Sequence, residues 1–527
     1  MGWRDQADID KRHDAAAAVG MTLAAWAVER PDAVAVYDPD GKAHTFRQIN
    51  ASANQLARLL RQRGLNTGDA VALICSNRCE FIEALAATRR AGLRLTPINW
   101  HLTAQEIAYI VEDCDAKAVI AESRTPAVRS ALAMLNGLAA KLVIGEPNPD
   151  CEDYRTTLAA FDSEDIDEPV VGGVMLYTSG TTGRPKGVLH EGYDSWSPRS
   201  AFTPLGYSPE ASVQMCAGPA YHAAPLHYDV SAALAVGCPL VFLDKWDSET
   251  VLATIASFHV THMHMVPIMF QRLLELPEAV RATYDVSSLA YIVHGAAPCP
   301  PEVKIAMIEW FGPIIHEYYA SSEGGYFTID SQEWLTRPGS VGKRATPLSA
   351  KALDEYGAEC PRNVPGTIYH QLPENGGFTY YKDQEKTDAS RVGGYFTQGD
   401  IGYFDEEDYL FLTGRSAEVI ISGGVNIYPQ EIDNELAKHP AVADSATIGV
   451  PHDEWGEQVK AVILLRSGVT PSEQLADDIL GYARRILPSF KTPRSLDFVT
   501  DLPRSEAGKI QRNKVRASYW EGRSKQI

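Results

Sequence analysis

Residues 174–187 read VMLYTSGTTGRPKG. The first three are apolar and have the character of a short buried strand. The next eleven, 177–187, carry four Ser/Thr hydroxyls, three glycines and one lysine. Glycines let backbone amides turn inward as an anion nest, the hydroxyls add donors and Lys186 adds positive charge, so the loop suits a polyphosphate. Its spacing is not that of the GxxxxGK[ST] loop, so it is a different kind of phosphate cradle. The plain alternative is an ordinary Gly/Ser/Thr loop; the particular order of these residues, directly after an apolar strand, argues against it.

Outward from this strand and loop, helical and strand periods alternate. Toward the N-terminus, Leu56, Leu59 and Leu60 mark a helix, 71–74 a strand, 80–90 a helix, 106–114 a helix and 118–121 a strand. Toward the C-terminus, 241–243 and 262–266 read as strands, and 250–258 and 268–276 as helices. The alternation predicts an α/β fold, with parallel sheets covered by helices on both faces. From 419 onward a compact α+β alternation stands by itself, with strands at 419–422, 446–450 and 458–465 and helices at 429–438 and 472–486. About 110 residues is enough for a separate domain.

The chain has 527 residues, 45% hydrophobic and 22% charged, which supplies an ordinary globular core and excludes wholesale disorder. Its net charge of −20 repels phosphate backbones and anionic lipid, so a general nucleic-acid binder is excluded. An anionic ligand therefore needs its own local donors and cations. Eight scattered cysteines lack zinc spacing and read as reduced, mostly buried thiols of a cytoplasmic protein. The polar stretch 1–14 has no secretory character, and Gln6 stands where myristoylation needs Ser or Thr. The terminal SKQI is not a peroxisomal SKL-type signal. The longest mostly apolar run, 230–243, is broken by Gly237 and Pro239 and is too short for a transmembrane segment.

Further stretches follow the glycine-rich loop in order: Tyr319-Ala-Ser-Ser-Glu323, Tyr395-Phe-Thr-Gln-Gly-Asp400, Gly414-Arg415, Ser422-Gly-Gly-Val-Asn-Ile-Tyr-Pro429 and Pro503-Arg-Ser-Glu-Ala-Gly-Lys509. With 177–187 they resemble the adenylate-forming superfamily of acyl-CoA synthetases, firefly luciferase and peptide-synthetase adenylation domains. Pro97-Ile-Asn99, Glu454-Trp-Gly-Glu457 and Phe490-Lys-Thr-Pro-Arg494 are similar to the acyl-CoA synthetase branch. The resemblance implies a large N-terminal ATP- and acyl-binding domain, 1–415, and a small mobile C-terminal lid, 416–527, carrying the catalytic lysine. It also implies ATP, Mg²⁺ and CoA as reaction partners of a small-molecule carboxylic acid. A homodimer is compatible with the chain, whose sequence leaves the oligomeric state open.

A carboxylate is a poor acyl donor, and joining it to the α-phosphate of ATP creates a mixed anhydride that a thiol can attack. That step brings two anions together, so positive charge and oriented donors are needed at the point of attack. By resemblance, Lys509 is the adenylation lysine, Glu323 the Mg²⁺ carboxylate and His222 the residue at the mouth of the carboxylate pocket. Thr178, Ser179, Gly180, Thr181, Thr182, Gly183, Lys186, Tyr319, Ser322, Asp400 and Arg415 would bind ATP, Asp400 through the ribose hydroxyls. His222, Ala223, Gly295, Ala296 and Gly324 would line the acyl pocket, and Gly423 and Gly424 the thiol channel. The small residues Ala223, Ala224, Gly295, Gly324 and Gly325, with Tyr326 and Phe327 nearby, predict room for a medium- or long-chain or bulky apolar or aryl acid. Three residues depart from the pattern: Ser322 stands where Thr is usual and keeps the hydroxyl, Ala296 replaces a glycine, and Ala417 stands at the hinge where Asp or Lys is usual.

Ordinary roles compete with these: a solvated Lys, an Asx-turn Asp, a core His. His262 and His264 alternate on one strand and could share a metal, but no third ligand is evident and a structural role is favoured. Two other functions stay open. One is a free-standing adenylation enzyme that loads a carrier-protein thiol, and the other is a catalytically idle acyl-nucleotide-binding protein.

Overall fold

The structure, a computed structural model, describes residues 3–5, 9–178, 185–190, 198–374, 376–422, 425–452, 454–505 and 508–521. They form two compact units. One comprises Met1–Met265, Glu275–Val293 and Pro373–Asp388, the other Val266–Leu274, His294–Leu372 and Ala389–Ile527.

The first unit is the helix-covered, largely parallel part of the chain. One of its sheets has strands Glu152–Asp153, Ala140–Ile144, Ala116–Glu122, Ala70–Ile74, Arg94–Pro97 and Gly173–Val174 in that order, every pair parallel. All five residues of Ala70–Ile74 are buried, as expected for a central strand covered on both faces. A second sheet orders Tyr291–His294, His262–Met265, Gln214–Cys216, Leu240–Phe242, Val34–Tyr37 and Ala43–Thr45. Helix Phe46–Gln62 shows how the sequence dictates these layers. Thr45 and Gln48 form a reciprocal capping box at its start, and Phe46, Ile49, Ala53, Leu56, Leu59 and Leu60 bury one continuous stripe. Thr103 and Glu106 start helix Ala104–Asp113 in the same way.

The second unit departs from the parallel pattern. Strands Ser340–Lys343, Tyr409–Arg415, Tyr395–Phe404, Gly366–Gln371 and Ala350–Leu353 form an antiparallel sheet over a core of Phe327, Val341, Ile368, Phe404 and Leu410. This sheet is an addition to the helix-covered sheets expected for the region. Tyr395–Phe404 and Tyr409–Arg415 are joined by the short turn 405–408, whereas the connection from Gly366–Gln371 to Tyr395–Phe404 carries the short helix Gln384–Ala389. Further on, Val425–Ile427, Ile420–Ser422, Gly456–Leu465 and Val442–His452 line up in one sheet, with Ser495–Val499 parallel to Gly456–Leu465. Helices Pro429–Leu436 and Glu473–Ile486 cover it, burying Ile432, Leu436, Ile479 and Ala483 against Ile420, Val459 and Ile463.

Candidate active site

In the first unit, the stems of the glycine-rich loop pair antiparallel, Thr178 opposite Lys186 and Tyr177 opposite Gly187. The Tyr177 hydroxyl donates to Asp113 Oδ2 at 2.5 Å, and the Tyr381 amide donates to the Gly187 carbonyl at 2.9 Å. Both stems are thereby tied down. Lys186 Nζ lies 3.2 Å from Asp383 Oδ2. The Lys386 amide and the Lys186 ammonium hold the Asp383 carboxyl below its usual range. Ser179, Gly180, Thr181, Thr182 and Gly183 lie outside the described residues.

His222 and Ala223 are half-buried and lead into Pro225–Ser231, a π-helical stretch. Such stretches are rare and concentrate where function demands a locally widened helix. Within it Asp229 is fully buried, and its Oδ1 accepts from Gln214 Nε2 at 2.6 Å and from the His264 amide at 2.9 Å. Burial pushes its carboxyl well above the usual range. Asp229 is thus enclosed in the fold and engaged by Gln214 and His264, a setting unsuited to holding a substrate ammonium. His262 contacts Thr261 Oγ1 at 2.7 Å and the Leu205 carbonyl at 3.1 Å through its two ring nitrogens. His264 stacks on Tyr228, and burial lowers its pKa to about 3. Among the described residues, the two histidines belong to no cluster of metal-ligating side chains.

The second unit gathers residues from distant parts of the chain. Asp400 and Arg415 face each other across paired strands. Buried Asp400 accepts from Arg415 Nε at 2.8 Å and from the Tyr319 hydroxyl at 2.7 Å. Glu323 sits with Ser322 in the turn between Ile315–Ser321 and Gly324–Ile329, its amide donating to Ser321 Oγ at 3.0 Å. Gln398 Nε2 donates to the Gly324 carbonyl at 3.0 Å and ties that turn to the strand bearing Asp400. Glu323 with the Ser321 and Ser322 hydroxyls offers hard oxygen donors, the chemistry Mg²⁺ requires.

Lys509 follows Gly508, whose φ of +76° belongs to the left-handed region. A Cβ at Gly508 would meet Ile268 Cγ2 at 2.9 Å, so both space and torsion require glycine. Lys509 keeps contact with water. Even so, the protein around its ammonium desolvates it and, with the like charge of Arg415, lowers its pKa to about 8. Asp400, Glu323 and Glu418 pull the other way, and contact with water moderates the shift.

Of the expected acyl-pocket positions in this unit, Gly295 is buried so closely that a Cβ would meet the Tyr318 carbonyl at 2.5 Å. Ala296 has a φ of +67°, so the residue that replaces glycine carries backbone strain. At Gly324 a Cβ would meet the Phe396 ring at 3.3 Å. Ala417 is exposed in the short 3₁₀ turn Ser416–Glu418, directly after the strand that ends at Arg415. Gly423 and Gly424 lie outside the described residues.

Sequence reasoning missed several partners. Asp383 is far in sequence from Lys186, and nothing local marks it. Glu418 joins the field around Lys509 from beside Ala417, and Arg512 Nη1 donates to it at 2.8 Å. A cleft of about 170 Å³ is lined by Ser422, Trp455, Gln458, Val459, Phe490 and Arg494. Its Arg494 guanidinium lies 5.4 Å from the Trp455 ring centre. The two motifs that supply Trp455, Phe490 and Arg494 are legible in the sequence; their convergence is not.

Two family models match the chain: AMP-binding enzyme over residues 23–377, and AMP-binding enzyme C-terminal domain over residues 431–509. The chain belongs to the AMP-binding enzyme family. Among family relatives, it is 30% identical over 508 residues to a feruloyl-CoA synthase from an Amycolatopsis species, covering 94% of this chain and 99% of that one. It is also 30% identical over 501 residues to the 2-succinylbenzoate–CoA ligase of Geobacillus kaustophilus, covering 94% and 98%. The crystal structure of the anthranilate CoA ligase AuaEII in complex with anthranoyl-AMP superposes with a TM-score of 0.85 at 26% identity, covering 95% of this chain and 97% of that one. The family member described here is an adenylate-forming acid–thiol ligase that uses ATP. No helix among the described residues is long and apolar enough to cross a membrane.

Proposed function

We propose that this ligase condenses a bulky apolar or aryl carboxylic acid with ATP to acyl-AMP and pyrophosphate, then passes the acyl group to the thiol of CoA. The observation that carries the reading is the convergence of Tyr319, Glu323, Asp400, Arg415 and Lys509 in one electrostatic neighbourhood. Asp400 keeps acceptor capacity for ribose hydroxyls while Tyr319 and Arg415 fix its orientation. Lys186 and the glycine-rich loop would bind the phosphates. Lys509 would bring its charge between the attacking carboxylate and the α-phosphate, where two anions must meet. Glu323, with the Ser322 hydroxyl, would hold Mg²⁺, which supplies charge neutralisation on the phosphates when bound.

Relatives named for feruloyl, succinylbenzoate and anthranilate substrates support an aryl acid. The aromatic and cationic cleft of Trp455, Phe490 and Arg494 suits the base and phosphates of a nucleotide, which favours CoA over a carrier-protein thiol. We place the boundary between catalytic domain and lid at residues 415–416, with Ala417 as hinge. The reading extends to a cytoplasmic enzyme, supported by eight free cysteines, and to a homodimer, for which light scattering is the test.

The purified protein with ATP, Mg²⁺, CoA and a panel of acids should yield AMP, pyrophosphate and acyl-CoA. Formation of ADP, or no product from any acid, would overturn the assignment.

A further inference from the structure

Lys304 is the only buried lysine among the described residues, and its side chain is 0% exposed. It lies on helix Pro301–Phe311, and Nζ donates to Glu317 Oε2 at 2.6 Å. The ammonium also sits 4.4 Å from the centre of the Trp334 ring. At the same carboxylate oxygen, His294 Nε2 is 3.6 Å from Glu317 Oε2, and Cys299 is close enough to feel both charges. Nothing in the adenylation chemistry employs these groups. A buried ion pair is also a poor source of stability, because desolvation cancels most of the attraction, and volume-matched neutral residues often serve as well. What such a pair provides is direction: two groups must meet at one distance and angle or leave a buried charge uncompensated.

That constraint acts close to the proposed nucleotide site. Glu317 belongs to strand Ile315–Ser321 and shares a strand face with Tyr319, two residues on, because side chains alternate. Tyr319 is the residue whose hydroxyl meets Asp400 at 2.7 Å, and the same strand runs directly into Ser322 and Glu323. Tyr318, between them, is the residue against which Gly295 is packed. A slide of this strand along the helix would displace all of these together.

We propose that Lys304 and Glu317 are positioning residues, which hold strand Ile315–Ser321 against helix Pro301–Phe311 so that Tyr319 and Glu323 are presented correctly to ATP. The proposal rests on the adenylation reading above. Burial holds the Glu317 carboxyl above its usual range, and Lys304 opposes only part of that effect. Removing the lysine alone therefore leaves an acid that is tolerated only when protonated, with His294 and Cys299 as its remaining titratable neighbours.

The test compares wild type, Lys304→Met and the double variant Lys304→Met/Glu317→Gln, using melting temperature, calorimetric ATP–Mg²⁺ binding and pyrophosphate release. The double variant buries no charge, so it should melt at or above the wild-type temperature. Its Kd and KM for ATP should nevertheless rise about ten- to a hundredfold, the scale of a 1 Å misplacement. In Lys304→Met alone, kcat/KM relative to wild type should fall as pH rises, because the unpaired Glu317 ionises. A folded double variant that binds and uses ATP like wild type would overturn the role of the pair while leaving the adenylation reading intact. So would a single variant whose relative activity is independent of pH. A wild-type protein that binds ATP but releases no pyrophosphate with any acid would overturn both readings.

Discussion

The protonation state of Lys509 offers a direct test of the adenylation step. Desolvation and the like charge of Arg415 lower its pKa to about 8, against the pull of Asp400, Glu323 and Glu418. If adenylation needs the ammonium, the active form is the one below that pKa, and the rate of pyrophosphate release must fall as pH rises through it. One unit above the pKa about a tenth of the lysine remains charged, so the limb should drop about tenfold per pH unit. If Lys509 serves adenylation alone, thioester formation from supplied acyl-AMP should lack this limb, because a thiol becomes a better nucleophile at higher pH. Lys509→Arg keeps its charge at every accessible pH, so its profile, though lower, should stay flat where the wild type falls. Lys509→Ala should lose about a hundredfold or more in adenylation at low pH while sparing the second half-reaction. Single-turnover pyrophosphate release in overlapping buffers measures all three. A wild-type profile flat through this range, or a falling limb that persists in Lys509→Arg, would show that another group titrates and that the charge on Lys509 is not what adenylation requires.

Three further outcomes follow from the geometry. Tyr319→Phe removes the hydroxyl that orients Asp400, so KM for ATP should rise about tenfold, the scale of a hydrogen bond to a charged group, with little change in melting temperature; an unchanged KM would separate Tyr319 from ribose binding. Ala417→Pro should retain adenylation but lose most thioester formation, because proline fixes φ near the hinge and removes a donor; acyl-CoA formed at the wild-type rate would place the hinge elsewhere. Activity should rise with acyl size by about fourfold per methylene, near 0.8 kcal/mol each, until the cavity is full; a preference for acetate or amino acids over octanoate and aryl acids would contradict the roomy pocket.

Much of this protein is local and therefore legible in one dimension. Alternating periods mark the strand Ala70–Ile74 and the helix Phe46–Gln62 because burial repeats at the spacing of each element. The reactive motifs are legible for a similar reason: a cradle of amides and hydroxyls, or a Gly508–Lys509 pair, is assembled from neighbours along the chain. The antiparallel sheet built on Tyr395–Phe404 and Tyr409–Arg415 is less legible, since its strands are half-buried and their burial does not alternate cleanly. What no motif contains is which side chains meet across the fold. Asp383 becomes the partner of Lys186, Glu317 the partner of Lys304, and Trp455 the neighbour of Arg494 only when strands and helices pack. The pKa of Lys509 is of the same kind. A lysine is strongly basic in any sequence, and it comes down to about 8 only because folding gathers protein and the Arg415 charge around its ammonium. Desolvation and Coulomb fields are sums over neighbours in space, and the order of residues along the chain does not specify them.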